Sequence, residues 1–261
     1  MSFEKIIDIL VNNQKFIIAG ILSTLILSLF GTIVGLYLGI FLAFGKRIKI
    51  KEMDNPFTKV IKHIVRGFCN IYSVVFRGTP MMVQALIFKY GFQAVGINFE
   101  NILFPSSVSN VLNGWLICGL IVITLNTAAY MGEIVLSGLN GISAGQVEAA
   151  RSLGMSSYKT SRLVIIPQAL RNSLPTIGNE LIVNIKDSSV LNVIAVSELY
   201  YRMKDISSTN YAFLESYCIL AVIYLIMTLL AALCLKLIEG KLDGKKISLN
   251  PFGRLQRRRQ I

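Results

Sequence analysis

Positions 16 to 44 form a run of 29 residues without one Asp, Glu, Lys or Arg. Wound as a helix at about 1.5 Å per residue, the run would reach about 43 Å. The hydrocarbon core of a bilayer is only about 30 Å thick, so Phe16 to Phe44 predicts a membrane span with length left for tilt or projection. The run is too long for the apolar region of a signal peptide, and no clear cleavage site follows it. Gly31, Gly35 and Gly39 recur every fourth residue within it, on one helix face, where a bare stripe lets a second helix approach closely.

The rest of the chain repeats this pattern. Of 261 residues, 54% are hydrophobic and 15% charged, against about a quarter charged in an ordinary soluble domain. Mean hydropathy is +0.62. The net charge is +12, but the charges sit between apolar runs, as cytoplasmic loops of a membrane protein do. A basic nucleic-acid surface is the weaker reading. Residues 1–261 read as one domain, with a core of about 16–238.

Loop charge orients the spans. Lys46, Arg47, Lys49, Lys51, Lys59, Lys62 and Arg66 mark a cytoplasmic loop, ending in a mixed segment, Phe57 to Phe76, suited to the interface. A second span is expected from about Thr79 to Ile97, with Pro80 in its first turn. The stretch from Gly91 to Asn113 lacks Lys and Arg and reads as external. A third span runs from about Gly114 to Leu136, with Trp115 as an outer-interface anchor. The loop from Ser137 to Leu174 carries Arg151, Lys159, Arg162 and Arg171 and reads as internal. A fourth span, about Thr176 to Val196, is the most polar. Tyr200 to Tyr211 reads as a short external loop, and the fifth span as about Phe213 to Leu235. The tail at 239–261 is basic, with Arg257, Arg258 and Arg259, and is placed inside. Five spans with the N-terminus outside put every strongly basic segment on one side.

Cys69, Cys118, Cys218 and Cys234 are widely spaced in apolar surroundings, and His63 is the only histidine. That spacing argues against a disulfide or a metal site and for small apolar fillers.

The internal loop at 143–167 is the most informative stretch. Glu148 to Pro167 reads EAARSLGMSSYKTSRLVIIP. Val147, Ala150 and Leu153 give a short apolar edge at helical spacing. Glu148 and Arg151 can pair at i, i+3. Gly154 can close the helix in the left-handed conformation, and Ser156 or Ser157 can cap the next. Pro167 stops or kinks that second helix. A short, two-faced cytoplasmic helix suits a groove on a partner.

The pattern resembles the EAA loop of binding-protein-dependent ABC importers, with Glu148, Ala149, Ala150, Gly154 and Pro167 on the motif. Val164 and Ile166 replace its Ile and Leu. Phe76 to Gln84, FRGTPMMVQ, is similar to the signature of the bacterial polar amino-acid permeases, the histidine/glutamine/glutamate/cystine permease-like family. So are AAYMGE at 128–133, PQALR at 167–171, Pro175 and GNEL at 178–181. The resemblance covers nearly all of the chain after about Ile17. It implies an all-α integral membrane fold of about five transmembrane helices, like the transmembrane domain of type I ABC importers (MetI-like). It also implies a loop that docks on an ATPase, an extracytoplasmic solute-binding protein and a second permease chain, identical or related. ATP and Mg would be held by the ATPase, and this chain would need no cofactor.

Charged groups inside spans are costly and face a cavity or another helix. The substrate-pathway candidates are Arg77, Thr79, Lys89, Glu180, Asn184, Lys186, Asp187 and Ser188. A path of mixed charge and amides suits a zwitterionic amino acid, and which amino acid stays open. RGTP reads equally well as a device for starting a helix, and Glu133 as an anchor of packing or of the loop.

No GxxxxGK[ST] loop occurs in the sequence, so ATP binding of that type belongs to another subunit. Neither a nucleophile with its base nor a metal-ligand cluster is present, which argues against an enzyme acting on lipid. The lack of an inverted internal repeat argues against an autonomous ion-coupled carrier.

Overall fold

The computed structural model describes residues 3–243 except 103, 106–108 and 110, and the described residues form an all-helical bundle. In chain order the helices are α1 (Phe3–Asn12), α2 (Gln14–Lys46), α3 (Pro56–Gly78), α4 (Met81–Ala94), α5 (Gly114–Asn140), α6 (Ala144–Ser152), α7 (Ser157–Thr160), α8 (Ile166–Asp187), α9 (Leu199–Asn210) and α10 (Phe213–Asp243). A π-helical turn, Ser161–Ile165, joins α7 to α8, and a 3-10 turn, Ser188–Ile194, follows α8. The basic tail beyond Asp243 lies outside the described residues.

Three helices are long and apolar enough to cross a membrane: α2, α5 and α10 from Phe213 to Lys241. The pair α3 and α4 is long and apolar enough only when taken as one unit, bent by 109° at its junction as a broken span or a re-entrant loop is. Helix α8, expected as a polar fourth span at about Thr176 to Val196, runs instead from Ile166 to Asp187, 22 residues or about 33 Å of helix, and is not among the helices apolar enough to cross by composition.

The glycine stripe of α2 packs on α5. A Cβ at Gly35 would lie 2.9 Å from Thr127 Cγ2, and one at Gly39 2.5 Å from Met131 Cβ. No side chain larger than hydrogen fits there without the helices separating. Around this seam Leu27, Cys118, Val122 and Ile123 are fully buried.

Four further expectations change on folding. The residues expected as an external loop, Tyr200 to Tyr211, form α9, a packed helix in which Leu199 and Met203 are fully buried and Arg202 is 4% exposed. Glu198 caps it, accepting from Tyr200 N (2.9 Å) and Tyr201 N (2.7 Å). The Tyr224 hydroxyl donates to the same carboxylate at 2.9 Å. Buried charge with this many partners is tolerated where an uncapped helix end is not. Trp115 is buried rather than turned to the headgroups, donating Nε1–H to Glu100 at 3.2 Å. Pro80 caps α4 instead of occupying its first turn. Pro167 neither stops nor splits its helix: backbone angles stay helical from Thr160 through Ile166. The π turn before it absorbs the missing donor.

Candidate functional site

Three polar regions stand out along the bundle: the loop between α5 and α8, the α3–α4 break, and the polar face of α8.

In the loop, Ser143 precedes α6, and Leu153 ends it. Gly154 takes φ +77°, donating its N–H to Arg151 O (2.9 Å), while Met155 donates to Ala150 O (3.2 Å). These paired bonds close the helix and require a residue free to be left-handed, which glycine is. Ser156 Oγ accepts from Lys159 N and opens α7. The expected apolar edge divides: Ala150 faces the protein at 5% exposure, whereas Leu153 stands out at 83%. Glu148 and Ala149 are exposed beside it, and no ion pair between Glu148 and Arg151 appears among the described residues. The loop thus presents Glu148, Ala149 and Leu153 outward from the ends of α5 and α8.

At the α3–α4 break, Pro80 forces Thr79 into an extended conformation, φ −119° and ψ 143°. The break frees carbonyls from their helix partners, and side chains take their place. Gln84 supplies one: its Nε2 lies 2.9 Å from Phe76 O, 3.0 Å from Thr79 O and 2.8 Å from Thr79 Oγ1. Asn126, on α5, donates to Phe76 O (3.2 Å) and to Gln84 Oε1 (3.0 Å). Thr79 also donates back to Val75 O at 2.8 Å. Gln84 and Asn126 were absent from the expected site residues, although Gln84 closes the FRGTPMMVQ signature. The signature builds a hydrogen-bonded break in a span. Just before it, Arg77 lies 3.3 Å from Glu133 and stacks over Tyr130 at 5.6 Å.

The remaining candidates separate. Lys89 lies with its ammonium 4.4 Å over the Trp115 ring. Asn184 is 4% exposed, donating to Thr32 Oγ1 (2.9 Å) and accepting from Thr127 Oγ1 (3.1 Å), so one amide binds α2, α5 and α8 together. Ser188 is fully buried and donates to Ile185 O at 2.9 Å. Lys186 and Asp187 are exposed, as are Asn172, Thr176 and Asn179 on the same helix, while Glu180 is half-buried. Glu180 and Asp187 are seven residues apart, which places them on one side of α8 about 10.5 Å apart along its axis. The structure therefore leaves on α8 an outward face of amides, hydroxyls and charges that is far too polar for lipid.

The family described as the binding-protein-dependent transport system inner membrane component matches residues 35–246. The arginine transport system permease protein of Bacillus subtilis is 32% identical over 230 residues, covering 88% of this chain and 93% of its own length. Among solved structures, an amino acid ABC transporter crystallised with histidines is 32% identical, with a TM-score of 0.76 over 92% of this chain and 99% of that one. An inward-facing MetNI methionine ABC transporter, 17% identical, shares the fold with a TM-score of 0.60 over 92% of this chain and 98% of its own. With its broken span, its closed EAA-type loop helix and these relatives, the chain belongs to the family of inner-membrane components of binding-protein-dependent transport systems.

Proposed function

We propose that this chain is the permease subunit of an ATP-driven importer that carries a polar amino acid across the cytoplasmic membrane. A separate ATPase binds α6 from the cytoplasm, a solute-binding protein delivers the amino acid outside, and a second permease chain covers the polar face of α8. The N-terminus lies outside and the basic tail inside, as loop charge directs.

The observation that carries this reading is the exposed loop helix. Glu148, Ala149 and Leu153 face away from the bundle, while the loop's two ends run directly into α5 and α8. A groove on a partner that takes up Leu153 would therefore act on both helices at once. Support for the substrate class comes from α8. Glu180 and Asp187 offer carboxylates to an ammonium, and Lys186 offers a cation to a carboxylate, all beside exposed amides. Arg77, Thr79 and Lys89 lie nearer the broken span. They border the path rather than supply its α8 wall.

Reconstitution tests the assignment. Proteoliposomes holding the permease with its ATPase and loaded binding protein should accumulate amino acid only when ATP is present. Gly154→Val, which strains a left-handed position, should release the ATPase during purification while the permease still inserts. Accumulation by the purified chain without an ATPase would overturn the reading.

A further inference from the structure

We propose that Glu133 is the positioning residue that passes movement of the α6 loop to the rest of the bundle, by tying the inner ends of α2 and α3 to α5 through Lys46 and Arg77. The proposal rests on the coupling role just given to α6, and it assigns that role a route.

Glu133 lies on α5, seven residues before the helix ends at Asn140, about 10.5 Å along the axis from the start of the loop. Two cations from two other helices meet on its carboxylate. Lys46 is the last residue of α2, has a side chain only 7% exposed, and forms an ion pair with Glu133 Oε1. Arg77 is the penultimate residue of α3, and its Nη1 lies 3.3 Å from the same oxygen. The Arg77 guanidinium also stacks over Tyr130, one turn back along α5. Arg77 is thus held to α5 at two points, just before the hydrogen-bonded break of the α3–α4 span.

The other side of α5 packs on α8. It touches α8 where Gly138 packs on Ser173 and Ala169, and where Ser173 Oγ donates to Ile134 O at 3.3 Å. Beside that contact a cavity of about 340 Å³ opens between the two helices, lined by Glu133, Ser137, Asn172, Ser173 and Thr176 among others. The loop that α6 belongs to joins these two helices. A push on α6 therefore reaches α5 and α8 together, and it is carried on to α2 and α3 by the shared carboxylate.

The charges suit an element that moves. Arg77 and Glu133 are 43% and 34% exposed, and ion pairs open to water are weak enough to break and remake. Lys46 is different: buried and paired only through Glu133 among the described ion pairs, it makes loss of the carboxylate costly to α2. Removing Glu133 also leaves two cations facing each other. Sequence reading offered Glu133 as an anchor of packing or of the loop, without its partners. The structure adds that the AAYMGE and FRGTP signatures are joined through it.

The test uses the whole complex in proteoliposomes, with permease, ATPase and loaded binding protein. Glu133→Gln should leave assembly and basal ATP hydrolysis intact. Stimulation by the binding protein, and uptake with it, should fall about tenfold. Arg77→Gln should give a smaller fall of the same kind. The double variant should be no worse than Glu133→Gln, because residues acting through one contact do not add. Additive losses, near-normal stimulation in both single variants, or loss of basal hydrolysis in an assembled complex would each overturn the proposal. If Glu133→Gln fails to assemble because Lys46 is left unpaired, Arg77→Gln decides, since it keeps the buried pair: impaired stimulation supports the tie, and normal stimulation refutes it. A wild-type complex whose uptake ignores the ATPase would instead sink the function proposed above.

Discussion

The α2–α5 seam and α8 lie side by side and are built on opposite rules. The seam is made of absent side chains: Gly35 and Gly39 let α5 approach until Thr127 and Met131 touch the α2 backbone. Leu27, Cys118, Val122 and Ile123 around it are apolar and fully buried, with Thr32 and Thr127 the buried hydroxyls beside them. Helix α8 is bounded by irregular turns instead. It carries a π turn before it, Pro167 and Pro175 within it and a 3-10 turn after it, and it turns exposed amides and charges outward. Close packing without hydrogen-bond slack makes a fixed part. Broken backbone with polar side chains makes a part that can take more than one arrangement. The membrane permits the second only where protein or water, not lipid, covers it.

Forcing a side chain into the seam is the strongest way to break this contrast. A Cβ at Gly39 would meet Met131 Cβ at 2.5 Å and Gly132 N at 2.8 Å, so Gly39→Leu must push α2 and α5 apart. Overpacking of this kind costs about 3 kcal/mol. The expected result is a much lower melting temperature in detergent and little folded protein in the membrane. Gly67 on α3, with nothing within 4 Å of its Cβ position, is the control. Gly67→Ala should be neutral or stabilising by up to about 1 kcal/mol. Equal melting temperatures for the two variants would remove the distinction between seam and surface.

The second test strikes the place where the two regions meet. Asn184 belongs to α8 but spends both ends of its amide on Thr32 of α2 and Thr127 of α5. Asn184→Ala leaves two buried hydroxyls without this partner, at a cost of about 1–3 kcal/mol. Thermal melting should show the loss, and Asn184→Asp should not restore it fully, because a carboxylate cannot donate to Thr32. A variant as stable as wild type would mean that α8 is not pinned to the seam at this point.

The seam was readable from sequence because glycine at every fourth residue leaves one face of a long apolar helix bare, although glycine is common in membrane helices without such a role. The loop between α5 and α8 was readable too, since Gly154 and Ser156 carry their turn chemistry locally. The broken span was half legible. Pro80 announced a boundary, yet the role of Gln84 depended on Asn126, 42 residues away. Helix α9 was missed because Arg202 and Lys204 suggested a short solvent-facing loop. Its buried set, Leu199, Met203 and Ile206, nevertheless runs at spacings of four and three, which is helical. Asn184 looked like a pathway residue because polarity within a span is ambiguous. Only the positions of Thr32 and Thr127 show that its amide is already engaged.

A third comparison lies within the polar set itself. Asp187 is exposed on α8, whereas Lys89 is stacked on Trp115. Asp187→Ala should cut uptake about tenfold, equivalent to about 1.4 kcal/mol, with unchanged insertion and melting temperature. Lys89→Ala should lose a cation–π contact of about 0.5–1 kcal/mol, seen as a slightly lower melting temperature as well as reduced uptake. Normal uptake by both variants would remove these residues from the pathway and leave Glu180 and Lys186 as its candidates on α8.

The smallest effect is expected where neither rule operates, in the surface turn between α2 and α3. Asp54 accepts from Lys51 N at 2.8 Å and from Lys62 Nζ at 2.6 Å. The Lys62 hydrogen bond, then that from the Lys51 backbone, hold its carboxyl below the ordinary value of 3.8. A lowered folded-state pKa stabilises only above the unfolded value, and that contribution disappears as pH falls through the lowered one. Near neutral pH the pair is therefore fully formed, yet at the surface it is screened by salt and worth little. Asp54→Asn should leave the melting temperature at neutral pH almost unchanged, and should flatten only the acid end of the stability curve. A large loss at neutral pH would show that this turn is clamped as firmly as the glycine seam, and the line drawn between fixed and mobile parts would have to move to include it.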